Sequence, residues 1–375
     1  MTSTATAPVF SPSLEGVVVG ETLVSHVDGE QGALTYRGHD ITTLIDRPIL
    51  DVAWLLLFGD WPDPVQAQQF AEFTLAHNRL TAAELQLLHS LDKDLHPMLV
   101  LQAVVPTLQY QERTPLDLPD NCNATDHGLV VAAKIPALLA AWLRLQKGLQ
   151  PVTGIDRLDP NESFLWQLHG AAPDALAVQT LNATQVLQME HGYNASTFAG
   201  RVCASTNAPI QSVLSASIGT LFGSLHGGAD QAALEMAQAI GAPENAAAYV
   251  AQCMQNKTKI MGMGHREYKT LDPRAAILKP MAADLCNDAD SRQLFGTLVA
   301  VEHACQQHFA KSGKQIWANV EFYKGAVFHA LGIPVHFFTG VFAMARVYGY
   351  IAHYAEFMQD PRLIRPRARY IGVKR

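Results

Sequence analysis

Apolar residues recur three and four positions apart along most of the chain, the spacing that puts them on one face of a helix. It predicts helices over 53–58, 65–76, 82–91 and 98–108. Pro-, Gly- and Asp-rich turns separate them at 61–64, 92–97 and 113–120. The longest apolar run, 128–143, holds Lys134 and Pro136. It is too short to span a bilayer and reads as a buried helix that Pro136 could kink. The same periodicity continues over 176–189, 209–222, 231–240, 244–255, 274–285, 291–310 and 335–358. Glu244 follows Pro243 and opens its helix with the charge that the helix dipole favours.

Strand signals are few. Segments 16–26 and 32–37 predict a short hairpin around 27–30. No strand–helix alternation occurs, which excludes a doubly wound parallel sheet. The fold class is therefore mainly α, without internal repeats. Two helical stretches, 194–206 and 212–223, are rich in small residues. Those suit close helix approach in a core or at a subunit interface equally well.

Composition narrows the picture. The chain has 375 residues, 49% of them hydrophobic, so one large domain or two closely packed ones can bury a sizeable core. Only 16% are charged, a weak pointer to a subunit interface. A net charge of −7 counts against a nucleic-acid partner. Five scattered cysteines give neither a disulfide framework nor zinc-like spacing, so no metal is expected and a reducing compartment is. Residues 1–16 lack a basic or apolar region and contain no Arg, unlike secretory or mitochondrial leaders. A cytoplasmic protein with no membrane contact is expected, and the sequons at Asn123, Asn182 and Asn194 read as chance.

Three segments carry chemistry. In the first, His226 lies between an apolar helix and the pair Gly227-Gly228, which permits close ligand approach. A plain loop histidine is an equal reading of that segment alone. The second, 257–279, is the most basic stretch of the chain, and Gly262, Met263 and Gly264 precede His265. Exposed backbone groups and nearby cations suit a polyanion better than they suit a solvated turn. No strand precedes it and a third glycine is missing, so it is no dinucleotide fingerprint. In the third, Glu321 stands among apolar and aromatic neighbours, where desolvation would make a carboxylate a better base. An ordinary helix-cap glutamate is the commoner case. Arg346 lies in an otherwise apolar helix, where a guanidinium needs an anionic ligand or a structural carboxylate.

Taken together and in order, these segments resemble citrate synthase from about Gly20 to Gly372. The matching motifs are Gly32-Ala33-Leu34-Thr35-Tyr36-Arg37-Gly38, His96-Pro97-Met98, Ala133-Lys134-Ile135-Pro136 and Asn194-Ala195-Ser196-Thr197-Phe198. They continue with Leu225-His226-Gly227-Gly228-Ala229, Gly264-His265-Arg266, Asp272-Pro273-Arg274 and Leu331-Gly332-Ile333-Pro334. Phe342-Ala343 with Arg346, and Arg365-Pro366-Arg367 with Tyr370, complete the set.

The resemblance implies a two-domain helical fold. Residues 1–220 and 325–375 would form a large domain and 221–324 a smaller inserted one, in a homodimer, with higher homo-oligomers left open. It implies a Claisen condensation of acetyl-CoA with oxaloacetate and hydrolysis of citryl-CoA to citrate and CoA. Both are substrates, and no cofactor is implied. His226, His265 and Glu321 take the catalytic positions. His191, Asn194, Arg274, Arg346 and Arg365 match the oxaloacetate positions, Arg365 reaching in from the other subunit. Ile260, Gly262, Met263, Gly264, Lys269 and Lys314 would hold CoA. The pattern departs at Glu321, where the family carries Asp, and at Gly192, Met263, Glu267 and Ala318. A longer base leaves two further readings open: a 2-methylcitrate synthase using propionyl-CoA, and a weakened paralogue with an assembly or ligand-binding role.

Overall fold

The structure, a computed structural model, describes residues 10–14, 16–108, 125–153, 155–157, 159–265 and 267–373. The expected turn at 113–120, the sequon at Asn123 and Arg266 lie outside them. Among the described residues the helices are α1 (Ile49–Phe58), α2 (Pro64–His77), α3 (Ala82–Ser90), α4 (Pro97–Val104), α5 (Asp126–Gln146), α6 (Pro160–His169), α7 (Ala175–Gln188) and α8 (Ala195–Ala204). Then follow α9 (Ile210–Leu221), α10 (Ala229–Ile240), α11 (Ala246–Gln255), α12 (Pro273–Leu285), α13 (Ala289–Ala310), α14 (Val320–Ala330) and α15 (Phe338–Phe357). This is the mainly α fold that the periodicity predicts.

Helices begin where the sequence supplies a cap. Asp63 and Gln66 form a capping box at α2, and Thr81 and Glu84 form another at α3. Helix α6 is absent from the expected set, although Asp159 caps it and Pro160 holds its first position. The predicted helix at 244 is divided: Pro243–Asn245 forms a 3-10 turn and α11 starts only at Ala246. A 3-10 turn, Val335–Phe337, likewise precedes α15.

Three short strands, β1 (Ser25–Asp28), β2 (Ala33–Tyr36) and β3 (His39–Asp40), pair antiparallel in chain order, with Ser25 opposite Tyr36. The hairpin is shorter than expected and its turn lies two residues later, at 29–32. Asp28 stays at the strand end because its Oδ1 accepts from the Glu30 and Gln31 amides, and Gly32 takes the positive φ that closes the turn.

Helix α5 runs unbroken through Pro136, and at 21 residues it is long and apolar enough to cross a membrane, contrary to the expectation from 128–143. It is a core helix here: 94% of its apolar window is buried inside the protein. Lys134 is tolerated there because Glu84 holds its Nζ at 2.6 and 2.8 Å. The small residues of α8 and α9 serve mutual packing. A Cβ on Gly200 would stand 2.4 Å from Ser217 Oγ, so the two helices close only over a glycine.

Helix α15 is buried along almost its whole length and packs against α1, α5, α7, α8 and α9. Helices α10 to α14 pack on one another, α14 touching α10, α12 and α13. Contacts of α12 and α14 with α7, and of α10 with α15, join this cluster to the rest. The chemistry-bearing segments gather where these groups meet.

Candidate active site

His226 sits in the turn between α9 and α10, where Gly223 and Leu221 carbonyls accept the His226 and Gly227 amides. Its Nε2 is 2.7 Å from Ser196 Oγ, and Tyr350 of α15 donates to that same oxygen at 2.7 Å. Asn194 Oδ1 already accepts the Ser196 and Thr197 amides at the start of α8. The Ser196 hydroxyl has two acceptors at 2.7 Å, Asn194 Oδ1 and His226 Nε2; when its proton turns to Nε2, Nδ1 of the neutral ring becomes the donor. Neutrality follows from the surroundings: burial, then the Arg346 charge, push His226 down to about 4.

His265 is placed by a zipper between two distant segments. Gly264 N donates to Trp317 O, Asn319 N to Gly262 O, and Asn319 Nδ2 to Gly264 O, at 2.8–2.9 Å. Gly262 has φ +75, and a Cβ there would meet the Phe322 ring at 2.7 Å. Only glycine lets this loop lie against the start of α14. His265 Nδ1 accepts the Glu267 and Tyr268 amides at 3.0 and 3.1 Å, so the ring proton belongs on Nε2. Arg274 Nη2 lies 3.3 Å from that nitrogen. Two donors cannot bond each other, so both present hydrogens to one place that an oxygen acceptor would satisfy. Burial and Arg274 push His265 down to about 4 as well.

Arg274 and Asp272 open α12. Asp272 accepts Arg274 Nε at 3.0 Å and Nη2 at 2.9 Å, and also takes the Val320 amide at 3.1 Å. This fork fixes the guanidinium and ties α12 to the start of α14. His191, just after α7, has its Nε2 3.1 Å from Tyr268 Oη, and its ring meets His265 edge-on at 5.5 Å between centroids. Burial and the Arg274 and Arg346 charges lower it well below the ordinary histidine range. Arg346 of α15 is 2% exposed. Its Nε donates to the Gln188 carbonyl at 2.8 Å and its guanidinium stacks over Phe342, but no carboxylate lies within ion-pair distance among the described residues. Of the two partners that the sequence left open for it, the structural carboxylate is not found.

Glu321 follows the cap residue Asn319 at the start of α14, and its field reaches both His226 and His265. Its Oε2 lies 2.5 Å from Lys324 Nζ, one turn on, and Lys324 in turn lies 3.3 Å from Asp230 Oδ2 of α10. Lys324 and Asp230 are fully buried. Glu321 is thus no surface cap.

Other expected residues are less engaged. Asn194 spends its side chain capping α8 and bonding Gly192 O and Thr197 Oγ1. Arg365 is exposed on the C-terminal segment. Ile260 and Met263 are buried, and Met263 bridges Ala318. Lys269 is exposed and ion-paired with Glu30. Lys314 is exposed in the turn after α13. A cavity of 230 Å³ opens beside His265, lined by Tyr268, Lys269, Trp317 and Ala318 among others. A cavity of 260 Å³ between α2, α5 and 151–156 holds none of the candidate residues. Sequence reasoning missed Ser196, Tyr350, Tyr268, Asp230 and Lys324. Only Lys324 left a local signal, at three positions from Glu321 on one helix face.

The arrangement offers two imidazoles held neutral, a carboxylate, and two buried guanidiniums, of which Arg274 is paired with Asp272. A family model described as citrate synthase, C-terminal domain, matches residues 13–367. A citrate synthase from Synechocystis sp. is 37% identical over 97% of this chain and 91% of its own length. A 2-methylcitrate synthase from Shewanella oneidensis is 34% identical, covering 96% of this chain and 94% of its own. Among solved structures, the ternary complex of carboxymethyl coenzyme A and oxaloacetate with citrate synthase from Thermoplasma acidophilum superposes with a TM-score of 0.87 at 26% identity, covering 96% of this chain and 97% of that one.

Proposed function

This chain belongs to the citrate synthase family, and we propose that it condenses acetyl-CoA with oxaloacetate and hydrolyses the citryl-CoA formed. It is an acyltransferase of the citrate (Si)-synthase type. The observation that carries the substrate reading is Arg346: a buried cation without a carboxylate, beside a histidine kept neutral. A dianionic ketoacid supplies the missing charge.

Chemistry follows from the donors. Glu321 takes a proton from the acetyl methyl group, while Nδ1–H of His226 bonds the thioester oxygen and stabilises the enol. The enol carbon attacks the ketone of oxaloacetate. Nε2–H of His265 donates to the ketone oxygen as it gains charge. Water then cleaves the thioester to give citrate and CoA. Arg346, Arg274 and His191 hold the carboxylates, Asn194 orders the loop beside them, and Arg365 arrives from a second copy of the chain. Lys269, Lys314 and the backbone at Ile260, Gly262, Met263 and Gly264 hold CoA. On this reading the enzyme is a cytoplasmic homodimer of two-domain subunits, 221–324 being the inserted domain, and needs no cofactor besides its substrates.

Propionyl-CoA is the second candidate, favoured by the relative named 2-methylcitrate synthase. One methylene in an acyl pocket is worth only ~1–3 kcal/mol. Release of the CoA thiol, with oxaloacetate and either thioester, decides between them. Activity with acetyl-CoA that disappears in Glu321→Ala is the expected result. Preference for propionyl-CoA replaces the reading with the methylcitrate one. No turnover with either, and recovery in Glu321→Asp, marks a weakened paralogue.

A further inference from the structure

The base segment carries a second charge that the reaction above does not use. Lys324 points from α14 into a space sealed on every side. Its Nζ stands between Glu321 Oε2 and Asp230 Oδ2, 3.9 Å from the centre of the Phe342 ring and 5.9 Å from that of Phe328. The side chain has no solvent exposure, and neither has Asp230. Neither contact has the alignment of a good hydrogen bond, so one cation holds two carboxylates by proximity. Close approach of α14 to α10 creates this geometry. A Cβ on Gly325 would lie 2.8 Å from the Asp230 carbonyl, so the residue after Lys324 lets the two backbones nearly touch.

We propose that Lys324 is a positioning residue for the base: it pins one oxygen of Glu321, and Asp230, by sharing the ammonium, sets how readily that carboxylate takes a proton. The proposal rests on Glu321 being the base. Glu321 Oε2 is sealed from solvent while the side chain keeps 15% exposure, so the pinned oxygen faces the interior. A glutamate has one more rotatable bond than an aspartate, and an ion pair one turn away removes that freedom. Asp230 draws on the same charge. Burial raises the Asp230 carboxyl, Lys324 lowers it and Glu321 raises it, as expected for three groups that share two negative charges and one positive. The other groups facing Glu321 are His226 before α10, His265 in the zipped loop and Arg274 of α12. Arg346 of α15 faces His226.

The test is the pH profile of kcat for thiol release in full-length Asp230→Asn and in the double variant Asp230→Asn/Lys324→Met, with Glu321→Gln as control. The double variant removes both fully buried charges and keeps side-chain volume, so it leaves no orphaned ion. Asp230→Asn gives the whole ammonium to Glu321 and moves the acid limb down; the double variant removes the cation and moves it up, by about one pH unit in each direction. Turnover in the double variant falls about tenfold, while KM for oxaloacetate stays within about threefold. A merely structural lysine would change melting temperature and leave both limbs in place. If Glu321→Gln is inactive and the limbs coincide with the native one, or move the same way, Lys324 does not act on the base. If Glu321→Gln keeps native turnover, the base assignment itself is wrong and the proposal falls with it.

Discussion

Two buried charged regions share α15, seven residues apart. At His353 every charge has an internal partner. His353 Nε2 lies 2.9 Å from Glu190 Oε1, its Nδ1 3.6 Å from Glu356 Oε2, and Arg201 stands 3.8 Å from Glu356. Burial alone would lower the histidine, but the two glutamates outweigh it and raise it to about 9. Burial would raise Glu190, but His353, Arg346 and Ser25 outweigh it and hold it low. At Arg346 the balance is left open: among the described residues its one hydrogen-bond partner is a carbonyl, no carboxylate lies within ion-pair distance although its field reaches Glu190, and the histidines nearby are forced neutral. Both sites are equally dry. The difference lies in who completes the charge. The His353 network pairs its charges without a ligand and anchors the N-terminal segment, since Glu356 also accepts the Leu23 amide at 2.6 Å. On the proposed reading, a substrate carboxylate completes the Arg346 region.

Breaking the paired region should cost the fold most. His353→Leu strands Glu190 in the interior, and a loss of about 3–5 kcal/mol in denaturant unfolding is expected. Turnover per folded molecule should change far less. An equal loss of turnover without loss of stability would merge the two regions into one.

Breaking the open region should do the reverse. Arg346→Leu removes a buried cation that has no ion-pair partner among the described residues, so the ligand-free protein should unfold at no lower denaturant concentration than the native chain. KM for oxaloacetate should rise about 100-fold, within the 2–5 kcal/mol expected when one side of a buried charge pair is truncated. A KM near the native value would show that another cation binds the anion.

A smaller effect sharpens the comparison within the site. Ser196→Ala removes the hydrogen-bond partner of His226 Nε2, and kcat should fall about tenfold with KM little changed. Unchanged kcat would show that the ring is oriented some other way. A pH dependence of stability should also appear, with opposite signs in the two regions. His226 and His265 are depressed from 6.5 to about 4, so the unfolded chain takes up protons first. Their contribution is full above pH 6.5 and is lost as pH falls toward about 4. His353 is raised, so its contribution is full below 6.5 and is lost as pH rises through about 9. Urea midpoints of the ligand-free protein across both windows check this.

Most helices were legible in the chain because their causes are local. Period, caps and prolines act within about four residues. The exceptions are instructive. Helix α6 carried a cap and a proline and was still overlooked, while the hairpin turn slipped because the Asp28 side chain, not the apolar pattern, chose its place. His226, His265 and Glu321 were legible as three motifs, yet nothing local joins them. Ser196 reaches His226 across 30 positions, and Gly264 meets Trp317 across more than 50.

By itself, then, the sequence determined a mainly α chain, its helical faces, and three segments with the residue types that the chemistry needs. Tertiary structure alone decided which charges are matched. Nothing in the sequence separates the His353 of a finished network from the Arg346 of an unfinished one, for each is a cation on an apolar helix. Pairing depends on which helices approach within a few ångströms, and a buried charge feels only the partners that such an approach delivers. The same holds for Glu321: its type could be read along the chain, but the lysine and aspartate that hold it could be found only where α14 meets α10.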